Sequence, residues 1–181
     1  MDTLPTLLIP GLAATARLYE AQIPALWRLG PVMVANHTRR DSMSALAEDI
    51  LAHAPPRFAL AGLSMGGYIA FEIMRQAPDR VLKLALLDTS AQPDTQEQKE
   101  ARKLRIRMAE AGEYDALPGL VFPAWVHTSR GEDRDLKAIG GGDVPRDRTR
   151  GFHPPANRDY EQTGFAAFAV RCSCSLAMAM G

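Results

Sequence analysis

Cysteine is nearly absent from this 181-residue chain, and the two present, Cys172 and Cys174, stand one residue apart near its end. Such close neighbours rarely make a good structural disulfide, and two thiols alone do not make a zinc site. They are expected to be incidental thiols. An excess of charge of one sign is also lacking: Lys plus Arg and Asp plus Glu number 21 each, so the formal net charge is zero. That balance argues against nucleic acid or an anionic membrane as partner, and gives little protection against self-association. No apolar run approaches the roughly 20 residues of a membrane span. The start, MDTLPTLLIPG, has no basic region before its short apolar run, which argues against a signal peptide and for a cytoplasmic location. The rest is ordinary: 46% hydrophobic, 23% charged, and long enough for one domain with a core.

Apolar runs and helical patterns alternate along the first half. TLLIPG (6–11) reads as a buried strand stopped by Pro-Gly. ARLYEAQIPALWRL (16–29) places Leu18, Tyr19, Ile23, Leu26 and Trp27 at helical spacing, with Pro24 opposing one straight helix. PVMVAN (31–36) is a second strand. DSMSALAEDILAHA (41–54) is a capped helix with Met43, Leu46, Ala47, Ile50 and Leu51 on one face, ended by Pro55-Pro56. RFALAG (57–62) is a third strand, MGGYIAFEIMRQAP (65–78) a helix stopped by Pro78, and VLKLALLDTS (81–90) a fourth strand. Strands apolar along their whole length and separated by helices imply a doubly wound, mainly parallel α/β sheet.

Residues 1–94 are thus read as the core. Residues 95–139 are charged and helical, with Leu104, Ile106 and Met108 among basic side chains, which describes a solvated face. VFPAWVHTSRGEDRDLKAI (121–139) supplies one more short helix. Residues 140–181 form a Gly/Pro/Arg-rich tail: GGGDVPRDRTRGFHPPANRDYEQTG has no strand or helix pattern, and FAAFAVRCSCSLAMAMG is apolar without cap or charge.

One stretch carries chemistry. Gly62-Leu63-Ser64-Met65-Gly66 fits G-x-S-x-G, a match that composition alone produces in roughly one chain in twenty. Its context is what sharpens it: a buried strand ends at Gly62 and an apolar helix starts at Met65. A strand that turns directly into a helix forces the turn residue into strained backbone, and glycines on either side let the two elements pass closely. The hydroxyl then projects beside the positive helix N-terminus. The plainer alternative is a serine that only caps the helix.

With AGLSMGG as nucleophile elbow, LLIPGLAATARLYEAQIPAL as an earlier strand with its oxyanion loop, and APDRVLKLALLDTSAQPD as the segment after the elbow helix, the chain resembles the α/β-hydrolase superfamily, in particular small bacterial carboxylester hydrolases. The likeness covers residues 3–135. It implies attack by Ser64 on a carbonyl, with the oxyanion held by the backbone N–H groups of Met65 and Leu12 and the elbow shaped by Gly62 and Gly66. It also implies a small-molecule ester substrate, no metal or organic cofactor, and a lid after Asp94.

The family's chain order is Ser, then Asp or Glu, then His. His37 and His53 precede Ser64; His127 lies in the lid-like region and His153 in the tail, and all four read more simply as surface histidines. Asp88 ends the fourth strand, where some members place the acid, and otherwise reads as a loop-capping carboxylate. Back-translated with GC-rich codons, one shifted frame from Asp143 reads M-C-R-E-I-G-P-E-A, and the other from Ala167 reads L-R-G-A-L-L-V-L-A-G-D-G-D, like the missing strand and acid turn. The expectation is a chain truncated or frameshifted after about residue 139, lacking its C-terminal strands. Three functions stay open: an active esterase, a catalytically impaired remnant, and a scaffold that self-associates through an unpaired sheet edge.

Overall fold

In a computed structural model of the chain, residues 3–12, 14–113, 119, 122–123, 126–141 and 176–179 are described. The chain divides into two compact units, 1–93 with 149–181, and 94–148.

The first unit is built on a parallel sheet. Its strands are β1 (Thr6–Ile9), β2 (Val32–Val34), β3 (Phe58–Leu63), β4 (Val81–Leu87) and β5 (Leu176–Ala179), in the spatial order β2-β1-β3-β4-β5. Register is set by pairs such as Leu8 with Val34, Leu8 with Ala61, and Leu60 with Leu84. β1 is buried at all four positions, as a strand covered on both faces should be. Between strands run α2 (Met43–His53) and α3 (Met65–Gln76). Leu46, Ile50, Ile69 and Ile73 from these helices meet Leu7, Ile9, Phe58 and Leu60 from the sheet in one core, each 3% exposed or less. Removing that much apolar surface from water is the main force holding the unit together.

Ser42 caps α2 by accepting from the Ala45 N–H at 3.2 Å. The other end of α2 is closed by a residue far along the chain. The Arg80 guanidinium donates to the carbonyls of Leu51 (3.0 Å), Ala54 (2.8 Å), Pro55 (2.8 Å) and Pro56 (3.1 Å), and lies 5.7 Å above the Phe58 ring. A fixed cation there satisfies carbonyls that the helix itself cannot, and complements the negative end of its dipole.

The β1–β2 connection is broken as Pro24 implies: a 3-10 turn at Ala16–Tyr19 and a single helical turn, α1 (Ile23–Leu26), with Pro24 in its first turn where the missing N–H costs nothing. Of its apolar residues only Tyr19 is buried; Trp27 is 63% exposed. β5 differs from the sequence reading. The outer edge of β4, expected to be open, pairs with it in parallel from Leu84–Leu176 to Leu87–Ala179. A four-residue apolar run with no turn signal has no local signature of its own; only pairing with β4 makes it a strand.

The second unit carries α4 (Gln96–Glu110) and α5 (Arg134–Gly141). α4 opens with a reciprocal capping box: the Thr95 N–H donates to Gln98 Oε1 (2.8 Å) and the Gln98 N–H to Thr95 Oγ1 (3.2 Å). Arg102 pairs with Asp94 at 2.8 Å. Asp133 caps α5, accepting from the N–H groups of Asp135 (3.1 Å) and Leu136 (3.0 Å). Those bonds, with Arg130, hold the Asp133 carboxyl below its usual range. Among the described residues no helix is long and apolar enough to cross a membrane.

Candidate active site

The strand order reverses direction at β1: β2 lies on one side of it and β3 on the other. In open parallel sheets the crevice outside the carboxyl ends of two such strands is where ligands bind. The residues leaving those ends are Pro10-Gly11-Leu12 after β1 and Ser64 after β3.

Ser64 sits between the last residue of β3 and the first of α3 with φ 51° and ψ −116°. Positive φ in a residue with a Cβ costs on the order of 1–3 kcal/mol and persists only where the surroundings enforce it. Three hydrogen bonds do so. The Ser64 N–H donates to the Leu87 carbonyl (2.9 Å), and its carbonyl accepts from the Gly67 N–H (2.9 Å) and the Thr89 hydroxyl (2.9 Å). Ser64 occupies the N-cap position of α3, yet its hydroxyl makes no cap hydrogen bond. The plainer reading, a serine serving only to cap the helix, is therefore not what the geometry shows.

Each glycine of the stretch has a distinct steric task. A Cβ on Gly62 would collide with the Gly66 carbonyl, where strand and helix cross. A Cβ on Gly66 would run into the Ile9 carbonyl, so this glycine lets the start of α3 also approach the end of β1. Gly67, which the motif does not include, leaves room for Thr89: a Cβ there would stand 2.5 Å from its side chain. Thr89 is in turn the residue that holds the Ser64 carbonyl. Its part in the site was missed from sequence, because nothing local connects residue 89 to the elbow.

The β1 loop passes directly beside the serine. A Cβ on Gly11 would stand 3.5 Å from the Ser64 Cβ and 3.2 Å from Leu63 Cδ2. Leu12 follows at once and is half-buried, and Met65, 6% exposed, opens α3, where the first N–H groups have no partner within the helix. The structure thus brings together the segments of all three residues: Ser64, Leu12 and Met65.

The triad partners are not gathered in the same way. His37, read from sequence as a surface residue, is 7% exposed. Burial lowers its pKa, against the opposing effect of the nearby backbone of Ala35 and Gly11. His53 is exposed at the end of α2, with Nδ1 2.8 Å from the Asp49 carbonyl. His127, in the second unit, has Nδ1 2.9 Å from the Ser129 hydroxyl. His153, Cys172 and Cys174 lie outside the described residues. Asp88 directly follows β4 at φ 43° and is exposed. Tyr19 is buried, donates from its hydroxyl to the Ile9 carbonyl at 2.8 Å, and is pushed up to about 12 by burial. Among the described residues no group of His, Cys, Asp and Glu is placed to hold a metal ion.

A parallel sheet of this order with a strained serine at the strand-to-helix junction defines an α/β-hydrolase. Residues 31–121, half of the chain, match the thioesterase-domain family, and the chain belongs to that family of α/β-hydrolases. Three solved structures are similar to it. The enol-lactonase of Burkholderia xenovorans LB400 is 21% identical with a TM-score of 0.70, over 82% of this chain and 62% of that one. A thermophilic esterase from Thermogutta terrifontis is 27% identical with a TM-score of 0.60, over 81% and 60%. A hydrolase from Pseudomonas aeruginosa PA01 is 24% identical with a TM-score of 0.63, over 81% and 60%. The chain therefore spans only about three-fifths of the length of each. No curated protein matches it.

Proposed function

We propose that this chain is a serine hydrolase acting on carboxylic esters of small molecules by acyl transfer through Ser64. The observation that carries the reading is the enforced positive φ of Ser64, with its hydroxyl free of the helix it precedes and the Gly11 backbone alongside. In this reading Ser64 Oγ bonds to the ester carbonyl carbon, and the carbonyl π pair moves to oxygen. The oxyanion is held by the N–H groups of Met65 and Leu12. Collapse of that intermediate releases the alcohol, which takes up the serine proton, and leaves an acyl-serine. Water then cleaves the acyl group off as the acid. The likeness to the Thermogutta esterase and the family match support an ester-type substrate.

A second reading, a catalytically impaired hydrolase, is favoured by the histidines. The rings of His53 and His127 are engaged elsewhere and His37 is buried, and a serine hydroxyl without a base is a poor nucleophile. Labelling with a fluorophosphonate separates the two. Rapid stoichiometric labelling lost in Ser64→Ala is expected of the enzyme; a wild-type chain that stays unlabelled belongs to the second reading. A pH–rate profile adds a check, since base assistance gives a limb near the pKa of histidine.

A further inference from the structure

The strand beside the elbow grips Ser64 at both ends of its backbone. Leu63 pairs with Leu87, so Ser64 comes level with the exit of β4. From that exit the Leu87 carbonyl accepts from the Ser64 N–H at 2.9 Å, and the Thr89 hydroxyl donates to the Ser64 carbonyl at 2.9 Å. Between those two partners stands Asp88. Among the described residues Ser64, at φ 51°, and Asp88, at φ 43°, are the non-glycines in left-handed backbone. Two such residues at the ends of neighbouring strands persist only where the surroundings enforce them. The left-handed turn at Asp88 separates a carbonyl and a hydroxyl that both reach the same residue. Space for that hydroxyl is kept from the helix side: a Cβ on Gly67 would stand 2.5 Å from Thr89 Oγ1 and from Thr89 Cγ2. The Gly67 N–H donates to the same Ser64 carbonyl at 2.9 Å, and a carbonyl oxygen has two lone pairs for its two donors.

The Ser64 carbonyl and the Met65 N–H belong to one trans peptide and point in opposite directions. Whatever fixes that carbonyl fixes the direction of the N–H. Met65 opens α3, and the first N–H groups of a helix have no partner within it. We propose that Thr89 is a positioning residue: by holding the Ser64 carbonyl it sets the angle of the Met65 N–H beside Ser64, and it keeps Ser64 in the backbone conformation that presents its hydroxyl. This rests on the reading of Ser64 as nucleophile and of Met65 as an oxyanion donor. The Gly67 bond to that carbonyl is local to the helix, whereas the Thr89 bond ties the same peptide to the sheet. Threonine suits the task. Its hydroxyl supplies the donor, and a β-branched side chain packed against Gly67 has few rotamers in which to leave.

The test uses the full chain with three substitutions. Thr89→Val removes the hydroxyl at closely similar shape, Thr89→Ser keeps it without the methyl, and Thr89→Ala removes it without adding bulk. Three quantities are read: kcat and KM for a p-nitrophenyl ester, the rate of phosphonylation by a fluorophosphonate, and amide hydrogen exchange at Ser64, whose N–H is the other end of the grip. Thr89→Val should lower kcat and phosphonylation about tenfold with KM little changed, since a misaimed donor is lost mainly from the transition state. The loss stays below the roughly hundredfold or more that follows outright removal of an oxyanion donor, because Gly67 still holds the carbonyl. Ser64 exchange should quicken in the same variant. Thr89→Ser should recover most of both, and Thr89→Ala should match Thr89→Val and replaces it where the valine variant does not fold. Failure of both to fold, with Thr89→Ser as active and stable as wild type, would make the bond a structural one and overturn the proposal. So would a loss that Thr89→Ser does not recover. Labelling of the wild type with unchanged rates in Thr89→Val overturns the proposal and leaves Ser64 standing. A wild type that is never labelled sinks the Ser64 reading; exchange at Ser64 then judges the grip by itself, quickening in Thr89→Val upholding it and no change overturning it.

Discussion

The elbow and the helix α4 are both strand-or-helix junctions with a polar residue at the start, and they are held in opposite ways. Around Ser64 every constraint but one, the local Gly67 N–H bond, is long-range. Leu87, Thr89 and the Ile9 carbonyl, from other strands, decide where residues 64–67 lie, and three glycines are needed to let them in. α4 is held by its own neighbours: Thr95 with Gln98, Lys103 with Glu100, Gln96 with Glu100. A segment fixed by distant backbone can store strain and present a side chain at a set angle. One fixed by its own i,i+3 and i,i+4 pairs can be solvated on most sides and changed with little consequence. The most direct way to break this contrast is Gly66→Ala. The added methyl would meet backbone carbonyl atoms of Ile9 and Pro10, which have no rotamer to escape into. A loss of roughly 3 kcal/mol or more, or failure to fold, is expected in urea denaturation. A change below about 1 kcal/mol would mean that the close approach of α3 to β1 is not required.

Arg80→Ala should come next. It removes a cation from four carbonyls at the end of α2 and from the face of Phe58. Because the carbonyls have other lone pairs and partial access to water, the expected loss is about 2–3 kcal/mol rather than the sum of four charged bonds. Arg80→Lys should restore little, since a point charge cannot reach four acceptors in a fork. Equal stability of the Lys variant and wild type would reduce Arg80 to a simple dipole effect.

The buried imidazole gives a pH dependence whose sign is fixed. Burial lowers the His37 pKa below its ordinary value of 6.5, so between the two values the unfolded chain binds more protons than the folded one. Stability from this residue is therefore complete above about pH 6.5 and is lost as pH falls from there through the folded-state pKa. Denaturation midpoints measured from pH 7.5 down to 5 should fall for the wild type and fall less for His37→Gln. Parallel curves for the two proteins would show that the ring is not the group responsible.

Much of this was legible in sequence, for reasons that differ by residue. α2, read at 41–54, spans Met43–His53, and β3, read at 57–62, spans Phe58–Leu63; both have a local period and a local stop. Ser64 was legible because G-x-S-x-G reports a strained turn directly. Thr89, Gly67 and the Tyr19 bond to Ile9 were not, since their partners lie 10 to 25 residues away and no spacing rule links them. His37 in particular has the sequence context of a loop and the burial of a core residue. β5 was hidden for the same reason, being defined by β4 alone.

The smallest effect belongs to α4 and sharpens the contrast from its other side. Thr95→Ala removes the hydroxyl that accepts from the Gln98 N–H, half of the capping box. Loss of such a cap costs about 1 kcal/mol of helix stability in the segment it starts. The second unit is clustered separately from the sheet, so the cost should appear as faster amide exchange over Gln96–Glu110 and not as a lower unfolding midpoint for β1, β3 and α3. Replacing Thr95 by Asp should return the protection, because a carboxylate accepts the same N–H and suits the positive end of the helix. If Thr95→Ala instead slowed phosphonylation of Ser64, α4 would have to be coupled to the elbow through contacts stronger than its own capping, and the division between a strained site and a locally stabilised helix would fail.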